Sequence, residues 1–514
     1  MTNAFVNAAK AANVAAQATR TFAKAATTIA QTTRTENGAL AYNTTNNELL
    51  DFFSVAGAMR TRRENEIVDK FSAAYRAEPM LTTRALFYTG DVRGGLGERR
   101  TFRTCLKWLA NHYPKAVSAN IHNIAHYNRW DSMFVLEGTR VENEMWGFIE
   151  ITLKNDLVLF EQKKPITLLA KWMPSINASS KETRRLAKKA IQKLGIRSEK
   201  HYRKLLSMLR EYLNVTEHHM SAQDWEKIDY EKVPSYAMSK YSRAFFKHDG
   251  VRFNSYKNAV QKGTAKVNAA VLYPYDLTHN YMFGSNTNLM AEEQWKALPN
   301  YVDGNNNILI MADVSGSMSG RPMETSVGLA IYFAERNHGD FANLYMTFTN
   351  QPHYVKINPN DSLEKKCWQV QDTDVGYNTN LEKAFDYVLD TAKIMNVPAE
   401  DMPKAIVVIS DMEIDGVFAK AENRCNIYSY NKYSVDFVDE MEKRFMAAGY
   451  QMPKLVLWNV ESRKDTYLTQ NKNVLLFSGQ SASTFKNLVS SLTCDAYEAM
   501  VKILMSERYN EVVA

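Results

Sequence analysis

The sequence predicts an α + α/β protein, in which an N-terminal all-α domain of stacked helices is followed by a doubly wound parallel sheet. In residues 45–290, apolar residues recur every three or four positions, as in Leu205, Leu209 and Leu213, and this is the period of an α-helix. After residue 307, short apolar runs alternate with helical stretches, which is typical of a parallel sheet covered on both faces. A polar run at 303–307 separates the two patterns.

Turn signals around the Gly94-Gly95-Leu96-Gly97 cluster, Pro165, Pro174 and Pro234 divide the helical half, where no fixed-period repeat is evident. In the second half we predict strands at 308–312, 344–348, 405–410, 455–458 and 474–477, and helices at 323–336 and 381–394. The predicted units are a leading helix or tail at 1–36, a helical-repeat domain at 37–303, a sheet domain at 304–480, and C-terminal helices at 481–514 that pack on the body.

The leading segment is unusual in composition. Residues 1–35 are rich in Ala and Thr and contain no acidic residue, while Lys10, Arg20, Lys24 and Arg34 make them basic. A mitochondrial transit peptide has this composition. The alternative is an amphipathic helix that packs on the first domain or frays.

Composition excludes several classes of protein. The chain has 514 residues, of which 45% are hydrophobic and 23% charged, as in an ordinary globular protein. Its apolar runs are too short for a membrane helix, and no export signal opens it. The four cysteines lie far apart without a CxxC pair, which argues against a zinc site and favours a reduced compartment. We therefore expect a protein of the cytoplasm, or of the host cytoplasm if the source is a virus, without a membrane partner.

Charge is divided unevenly along the chain. Residues 1–300 carry 43 Lys and Arg against 28 Asp and Glu, an excess of 15 positive charges. The remaining residues carry an excess of eight negative charges. A basic half beside an acidic half hints at nucleic-acid contact.

The strongest motif is a set of oxygen donors in the second half. Asp313, Ser315 and Ser317 form Asp-x-Ser-x-Ser directly after the first strand, where open α/β sheets bind ligands. Thr379 lies on a loop before a helix, and Asp411 ends a later strand. Hard oxygen ligands of this kind suit Mg²⁺ or Mn²⁺.

This set, over about 305–480, resembles the von Willebrand factor A domain and its metal-ion-dependent adhesion site. The resemblance implies that Asp313, Ser315 and Ser317 contact the metal directly or through water, that Thr379 supplies a third hydroxyl, and that Asp411 holds a coordinated water. It also implies an open metal position that a protein partner's carboxylate fills, so that the site binds rather than catalyses. An A domain with ligand-like residues but no functional ion is the alternative.

A second resemblance covers most of the chain. It is carried by the motifs YTGDVRGGLGERR at 88–100, YNRWD at 127–131, AKWMPS at 170–175, VPSYAM at 233–238, SDME at 410–413 and LWNV at 457–460. They resemble a poorly characterised family of eukaryotes and large viruses or phages. In architecture this family is similar to the Ro autoantigen (TROVE-type) proteins, in which HEAT-like helical repeats are followed by an A domain. That similarity implies binding of small noncoding or structured RNA.

Two features of the basic half could contact RNA phosphates. The segment 181–210 is dense in Lys and Arg, opposed only by Glu182 and Glu199, and a basic face neutralises phosphates whatever the base sequence. Within it we select Arg184, Arg185, Lys188, Lys189, Lys193, His201, Arg203 and Lys204. The rings of His201 and the neighbouring Tyr202 could stack on unpaired bases. A solvated helix surface is the alternative. The glycine segment 93–100 either cradles phosphate or forms a tight interhelical turn, and we favour the turn.

The functional prediction is a non-enzymatic RNA-binding scaffold, of the kind found in Ro-type ribonucleoproteins, with a magnesium-dependent ligand site. The alternative is a metal-dependent protein–protein interaction module without RNA binding. Catalysis is disfavoured because the sequence shows no nucleophile elbow and no kinase or nuclease carboxylate set.

Overall fold

The computed structural model describes residues 32–282, 287–302, 307–348, 351–372, 380–414, 437–471 and 473–514. It begins with a short antiparallel hairpin of β1 (Thr32–Arg34) and β2 (Leu40–Tyr42). Within the segment 1–36, predicted as a leading helix or tail, residues 32–34 form strand β1 instead of a helix. Residues 1–31 lie outside the described ranges.

The first half is helical, as predicted, and we call it the helical part. Its helices are α1 (Glu48–Phe53), α2 (Glu64–Ala77), α3 (Pro79–Gly90), α4 (Arg99–His112), α5 (Pro114–Ala119), α6 (Ile121–Tyr127), α7 (Glu142–Glu161), α8 (Leu169–Trp172), α9 (Lys181–Lys193), α10 (Glu199–Tyr212), α11 (Thr216–Ala222), α12 (Ser235–Gln261), α13 (Pro274–Met282) and α14 (Ala291–Lys296). Consecutive helices pack on each other, as α2 does on α3 and α3 on α4. Within the described ranges, none is both long enough and apolar enough to cross a bilayer.

Apolar spacing and capping explain where these helices form. In α4, Phe102, Cys105, Leu106 and Leu109 lie on one face and are buried, which is the three-and-four spacing of an amphipathic helix. Helices α9 and α10 each begin after a serine whose hydroxyl accepts a backbone N–H of the first turn. Such caps satisfy N–H groups that the helix itself leaves unpaired.

The second half is a six-stranded sheet with its helices, and we call it the sheet part. Its elements are β3 (Ile308–Ala312), α15 (Arg321–Arg336), β4 (Leu344–Thr347), β5 (Tyr354–Lys356), α16 (Leu363–Asp372), α17 (Leu381–Met395), β6 (Ala405–Ser410), α18 (Phe437–Ala447), β7 (Lys454–Asn459), β8 (Leu475–Ser478), α19 (Thr484–Ser490) and α20 (Ala496–Leu504). The strand order is β5-β4-β3-β6-β7-β8, and only the edge strand β5 pairs antiparallel.

Alternate residues of β3 point to opposite faces of this sheet. Ile308, Ile310 and Ala312 belong to the large core that the sheet shares with the helical part. Leu309 and Met311 belong to a second core formed with α17 and α18. Because both faces are covered, the sheet is doubly wound, and the predicted α + α/β fold class is confirmed.

The two ends of the chain connect the helical and sheet parts. Near the start, Tyr42 exchanges backbone hydrogen bonds of 2.7 and 2.9 Å with Tyr467, which follows β7. Near the end, the buried Asp91 carboxylate binds Arg508 and the Tyr509 hydroxyl. Asn120 likewise bonds to the backbone of Val513. The two parts are therefore packed into one body around a shared core.

Candidate functional site

The candidate metal site lies where two adjacent parallel strands end. Strands β3 and β6 are neighbours at the point where the strand order reverses, and ligands of open α/β sheets bind in the crevice beyond this point. Asp313 follows β3 and Asp411 follows β6, and the Asp313 N–H donates to the Ile409 carbonyl at 3.0 Å. The strand pairing therefore places both carboxylates at the same edge.

The Asp313 side chain is fully buried and held by hydroxyl and backbone donors. The Ser410 hydroxyl donates to its Oδ2 at 2.6 Å, and the Ser315 N–H donates to its Oδ1 at 2.9 Å. Burial, together with the nearby Asp411 charge, raises the pKa of this carboxyl to about 6, against the lowering effect of these hydrogen bonds. A buried anion of this kind is stabilised by a positive partner.

The two serines of the motif converge beside this carboxylate. Ser315 Oγ and Ser317 Oγ lie 3.1 Å apart, because the short helical turn Gly316–Met318 folds the backbone between them. Both hydroxyls therefore face the same small region. Thr379, predicted as the third hydroxyl ligand, lies outside the described residues.

Asp411 carries an unsatisfied oxygen. Its Oδ1 accepts the Glu413 N–H at 3.2 Å, whereas its Oδ2 is buried and accepts no hydrogen bond from the described residues. The guanidinium of Arg463 lies 3.6 Å from Oδ2. Burial raises the pKa of Asp411 above its usual range. A buried carboxylate oxygen without a donor is costly and marks a position where a cation would be stabilised.

This donor set fits a hard divalent cation. Asp313, Ser315, Ser317 and Asp411 present only oxygen, the ligand type of Mg²⁺ and Mn²⁺. No group of three or more His, Cys, Asp or Glu side chains suited to a metal occurs in the part of the chain that the structure describes. A cation at this edge would therefore depend on the hydroxyls and on solvent as well as on the carboxylates.

The predicted RNA-binding residues lie together on α9 and α10, but several are already paired. Arg185 binds Glu137 and Glu182, and Lys189 binds Glu137 at 2.8 Å and Glu142 at 2.7 Å. Hydrogen bonding from Arg185, supported by Lys189, lowers the pKa of Glu137 to about 2. These two cations therefore connect α9 to the first residue of α7 and to the turn before it.

Two further predicted contacts have structural partners. Arg184 donates to the carbonyls of Ala178 at 2.6 Å and Ser179 at 2.8 Å, just before its own helix. Lys193 donates to Asn143 Oδ1 at 3.2 Å. The ammonium of Lys193 remains exposed, whereas Arg184 is half-buried.

The remaining predicted residues are exposed. Lys188 has only a 4.0 Å contact with Glu199, and Arg203 and Lys204 project from α10 into solvent. His201 is exposed, and its ring shares a 2.7 Å hydrogen bond with Ser198. The expectation that Tyr202 stacks on bases is wrong, because its ring is 1% exposed and its hydroxyl donates to the Pro174 carbonyl at 2.7 Å.

The glycine segment after α3 is a tight turn, not a phosphate cradle. A Cβ on Gly95 would lie 2.1 Å from the Tyr88 carbonyl oxygen, so only glycine fits. The N–H groups of Arg93 and Gly94 donate to the Asp91 carboxylate, and those of residues 96–98 donate to backbone carbonyls of Asp91 and of the end of α3. These donors point inward and are not offered to a ligand.

Sequence reasoning missed one group of charged residues. Arg60 and Arg62 precede α2, Arg321 begins α15, and Arg463 follows β7, yet all four line one cavity. No local motif joins them, because three distant segments supply them.

Comparisons with known proteins identify the family. The model described as Domain of unknown function (DUF2828) matches residues 35–134 and 148–306. The chain belongs to this family. A second model, described as Domain of unknown function (DUF7788), matches residues 307–512, the sheet part and the C-terminal helices.

Among curated proteins, the chain is similar to Uncharacterized protein L728 of Acanthamoeba polyphaga mimivirus. The two are 27% identical over 521 aligned residues, which cover 91% of this chain and 86% of the viral protein. This match and the family membership confirm the predicted resemblance to a poorly characterised family with viral members.

Among solved structures, the chain is similar to the crystal structure of Deinococcus radiodurans RO (RSR) protein. The identity is 12% and the TM-score 0.34, over 90% of this chain and 99% of that one. A TM-score this low does not establish a shared fold. The Ro-type resemblance therefore stays a prediction from the sequence.

Proposed function

We propose that this protein is a non-enzymatic, cytoplasmic RNA-binding scaffold, similar in role to the protein component of a Ro-type ribonucleoprotein. The observation that carries the proposal is the exposed basic surface of α10 and the second half of α9. It is formed by Lys188, Lys200, Arg203 and Lys204, all of which are exposed. We call it the α10 basic surface.

The charge on this surface is available to a ligand. Lys200, Arg203 and Lys204 form no ion pair among the described residues, unlike Arg185 and Lys189. Lys and Arg that neutralise phosphates release condensed counterions, which drives binding of small noncoding or structured RNA without base-specific contacts. Phosphate contact at this surface agrees with the positive excess of the first 300 residues.

Charge reversal tests the proposal. The triple variant Lys200→Glu, Arg203→Glu and Lys204→Glu is expected to weaken binding of a fluorescent structured RNA by about 100-fold or more near 0.1 M salt, because three phosphate contacts become repulsive. It is also expected to reduce the dependence of the logarithm of affinity on the logarithm of salt concentration. Fluorescence anisotropy over a salt series measures both.

The matched control reverses three exposed lysines of the sheet part, Lys356, Lys443 and Lys486. It changes the net charge equally and is expected to keep most of the affinity. Equal RNA binding by both triple variants contradicts the proposed surface, and an absence of RNA binding by the wild type at low salt contradicts the function.

The scaffold is further proposed to bind Mg²⁺, or Mn²⁺, at Asp313, Ser315, Ser317 and Asp411, with Thr379 as an additional ligand. What supports this is the orphaned Asp411 oxygen beside the buried Asp313. When bound, the metal would supply an open coordination position for an acidic group. The second candidate function is a metal-dependent protein-interaction module, and the same oxygen donors of Asp313 and Asp411 support it. Its protein partner would bind in the presence of Mg²⁺ and would be released by a chelator.

Mg²⁺ is expected to stabilise the wild type. A cation that binds only the folded state at 100 times its dissociation constant adds about 2.7 kcal/mol to the free energy of unfolding, seen as a higher melting temperature by calorimetry. In Asp313→Asn this increment is expected to vanish, while Asp340→Asn, at an exposed position, keeps it. An equal Mg²⁺ effect on all three proteins contradicts the site.

A further inference from the structure

A cavity of about 540 Å³ lies at the junction of the helical and sheet parts. Its lining comes from the loop between α1 and α2, the start of α15, and the segment after β7. We call it the arginine cavity, and its lining residues include five arginines and two glutamates: Arg60, Arg62, Arg63, Arg321, Arg463, Glu66 and Glu461. Three carboxylates just outside the lining pair with its arginines: Asp465 with Arg62, Glu98 with Arg60 and Asp411 with Arg463. Arg321 forms no ion pair among the described residues.

Two of these arginines converge on a neutral group. Arg60 Nη1 and Arg321 Nε both donate to Gln480 Oε1, at 2.7 and 2.8 Å. Burial lowers the pKa of Arg60, and the repulsion from Arg321 lowers it further. Like charges held this close repel each other, and an anion between them would relieve the repulsion.

The carboxylates nearby satisfy Arg60 incompletely. Its ion pairs are 3.4 Å to Glu98 and 3.9 Å to Glu461, and its buried Nε donates no hydrogen bond within the described ranges. Arg321 hydrogen-bonds to two neutral side chains, Gln480 and Tyr275. Arg321, which is exposed, therefore keeps its charge for a ligand, whereas Arg60 lies deeper in the wall.

The cavity wall is fixed in place. Arg100 Nη1 donates to the carbonyls of Arg60 at 2.8 Å and Arg62 at 2.7 Å. Arg62 in turn bonds to the carbonyl and hydroxyl of Ser462, at 2.9 and 2.7 Å. A wall that is ordered before binding loses little conformational entropy on capture of a ligand.

We propose that the arginine cavity is a binding site for an oligophosphate, supplied either by a free nucleotide or by the 5′ end of an RNA. Arginine matches the geometry of phosphate oxygens, and an oligophosphate, unlike a single carboxylate, offers enough oxygens to accept from Arg321 and from other arginines of the lining at once. Helix α15 begins at the cavity with Arg321, and the first turn of a helix favours anions. The volume is within the range of small-ligand pockets.

The cavity also adjoins the proposed metal site. Arg463 donates to the Ser317 carbonyl and lies 3.6 Å from Asp411 Oδ2. Mg²⁺ in proteins is commonly held by one or two carboxylates together with ligand phosphates. The oligophosphate site nevertheless does not depend on the metal, on the RNA function or on the α10 basic surface, so it is tested with a chelator present.

Calorimetric titration of the full-length protein with pyrophosphate, in EDTA, tests the proposal. Pyrophosphate is expected to bind the wild type, and Arg321→Met to weaken it roughly tenfold to hundredfold through loss of a charge-assisted contact. Arg463→Met, a second variant at a partly exposed side chain, is expected to weaken it as well. Arg140→Met, at an exposed arginine away from the cavity lining, is the matched control and is expected to bind normally.

Titrations with ATP and with RNA identify the source of the phosphate. Stronger binding of ATP than of a 5′-triphosphorylated RNA favours a nucleotide, and a preference for that RNA over its 5′-hydroxyl form favours an RNA end. The triple reversal of the α10 basic surface is expected to leave pyrophosphate binding unchanged. No pyrophosphate binding by the wild type, equal binding by both cavity variants and the control, or equally tight binding of acetate overturns the proposal.

Discussion

Asp91→Ala is expected to lower the free energy of unfolding by about 3–5 kcal/mol, because it leaves a partly buried guanidinium without its partner. The Asp91 side chain is inaccessible to solvent and accepts hydrogen bonds from five groups: both ends of the Arg508 guanidinium, the Tyr509 hydroxyl, and the N–H groups of Arg93 and Gly94. One carboxylate therefore fixes both the glycine turn after α3 and the C-terminal segment.

Urea unfolding followed by circular dichroism measures this loss. The matched control is Asp390→Ala, since Asp390 is exposed and has a 3.4 Å contact with Lys393. Exposed pairs of this kind contribute at most about 1 kcal/mol, so the control is expected to unfold near the wild type. A midpoint for Asp91→Ala as high as that of the control contradicts this role of Asp91.

Gly57→Ala is expected to destabilise the protein by about 1–3 kcal/mol, the range found for atoms forced into a packed interior. A Cβ on Gly57 would lie 2.7 Å from the Cα of Gly479 and 2.9 Å from the carbonyl carbon of Ser478. These are backbone atoms, so no side chain can turn aside. The contact presses the loop before α2 against the end of β8.

The control for this change is Gly147→Ala in α7, where an added Cβ meets nothing within 4 Å. Alanine is favoured over glycine inside a helix by about 0.5–1 kcal/mol, so this variant is expected to be slightly more stable than the wild type. Thermal unfolding compares the two. Equal melting temperatures for both alanine variants would contradict this prediction. They would mean that the backbone segments at Gly57 and Gly479 can move apart without loss of stability.

The buried elements of the sheet could be predicted from sequence, because burial on both faces leaves an uninterrupted apolar run. The runs at 308–312 and 405–410 coincide with β3 and β6. The edge strand β5 was missed, since its three residues include only one buried side chain. The hairpin of β1 and β2 was missed because its six strand residues also include only one that is buried. Its pairing with the rest of the chain depends on Tyr467, more than 400 residues away.

The candidate metal site was predictable as far as its residues follow strands. Asp313 and Asp411 end neighbouring strands, so the topology alone brings them together. The orphaned oxygen of Asp411 could not be predicted, because it depends on which donors surround it in three dimensions. Thr379 and the unit boundaries stay predictions.

The basic surface and the arginine cavity show the limits of reading charge from sequence. The density of Lys and Arg in 181–210 was evident, but the neutralisation of Arg185 and Lys189 by Glu137 was not, since Glu137 lies 48 residues before Arg185. The cavity depends on even longer separations, from Arg60 to Arg463. Helical periodicity shows which residues share a face, not which partners another element brings to it.

RNA binding through phosphate contacts is the function that we propose for this protein. The most direct measurement is to purify the tagged protein from eukaryotic cells at about 50 mM salt and to test the bound nucleic acid with RNase and DNase. We expect RNA that is retained at low salt and released as the salt is raised several-fold, because phosphate contacts weaken steeply with ionic strength. Protein free of nucleic acid at low salt, or equal RNA on the triple variant of the α10 basic surface, would contradict it.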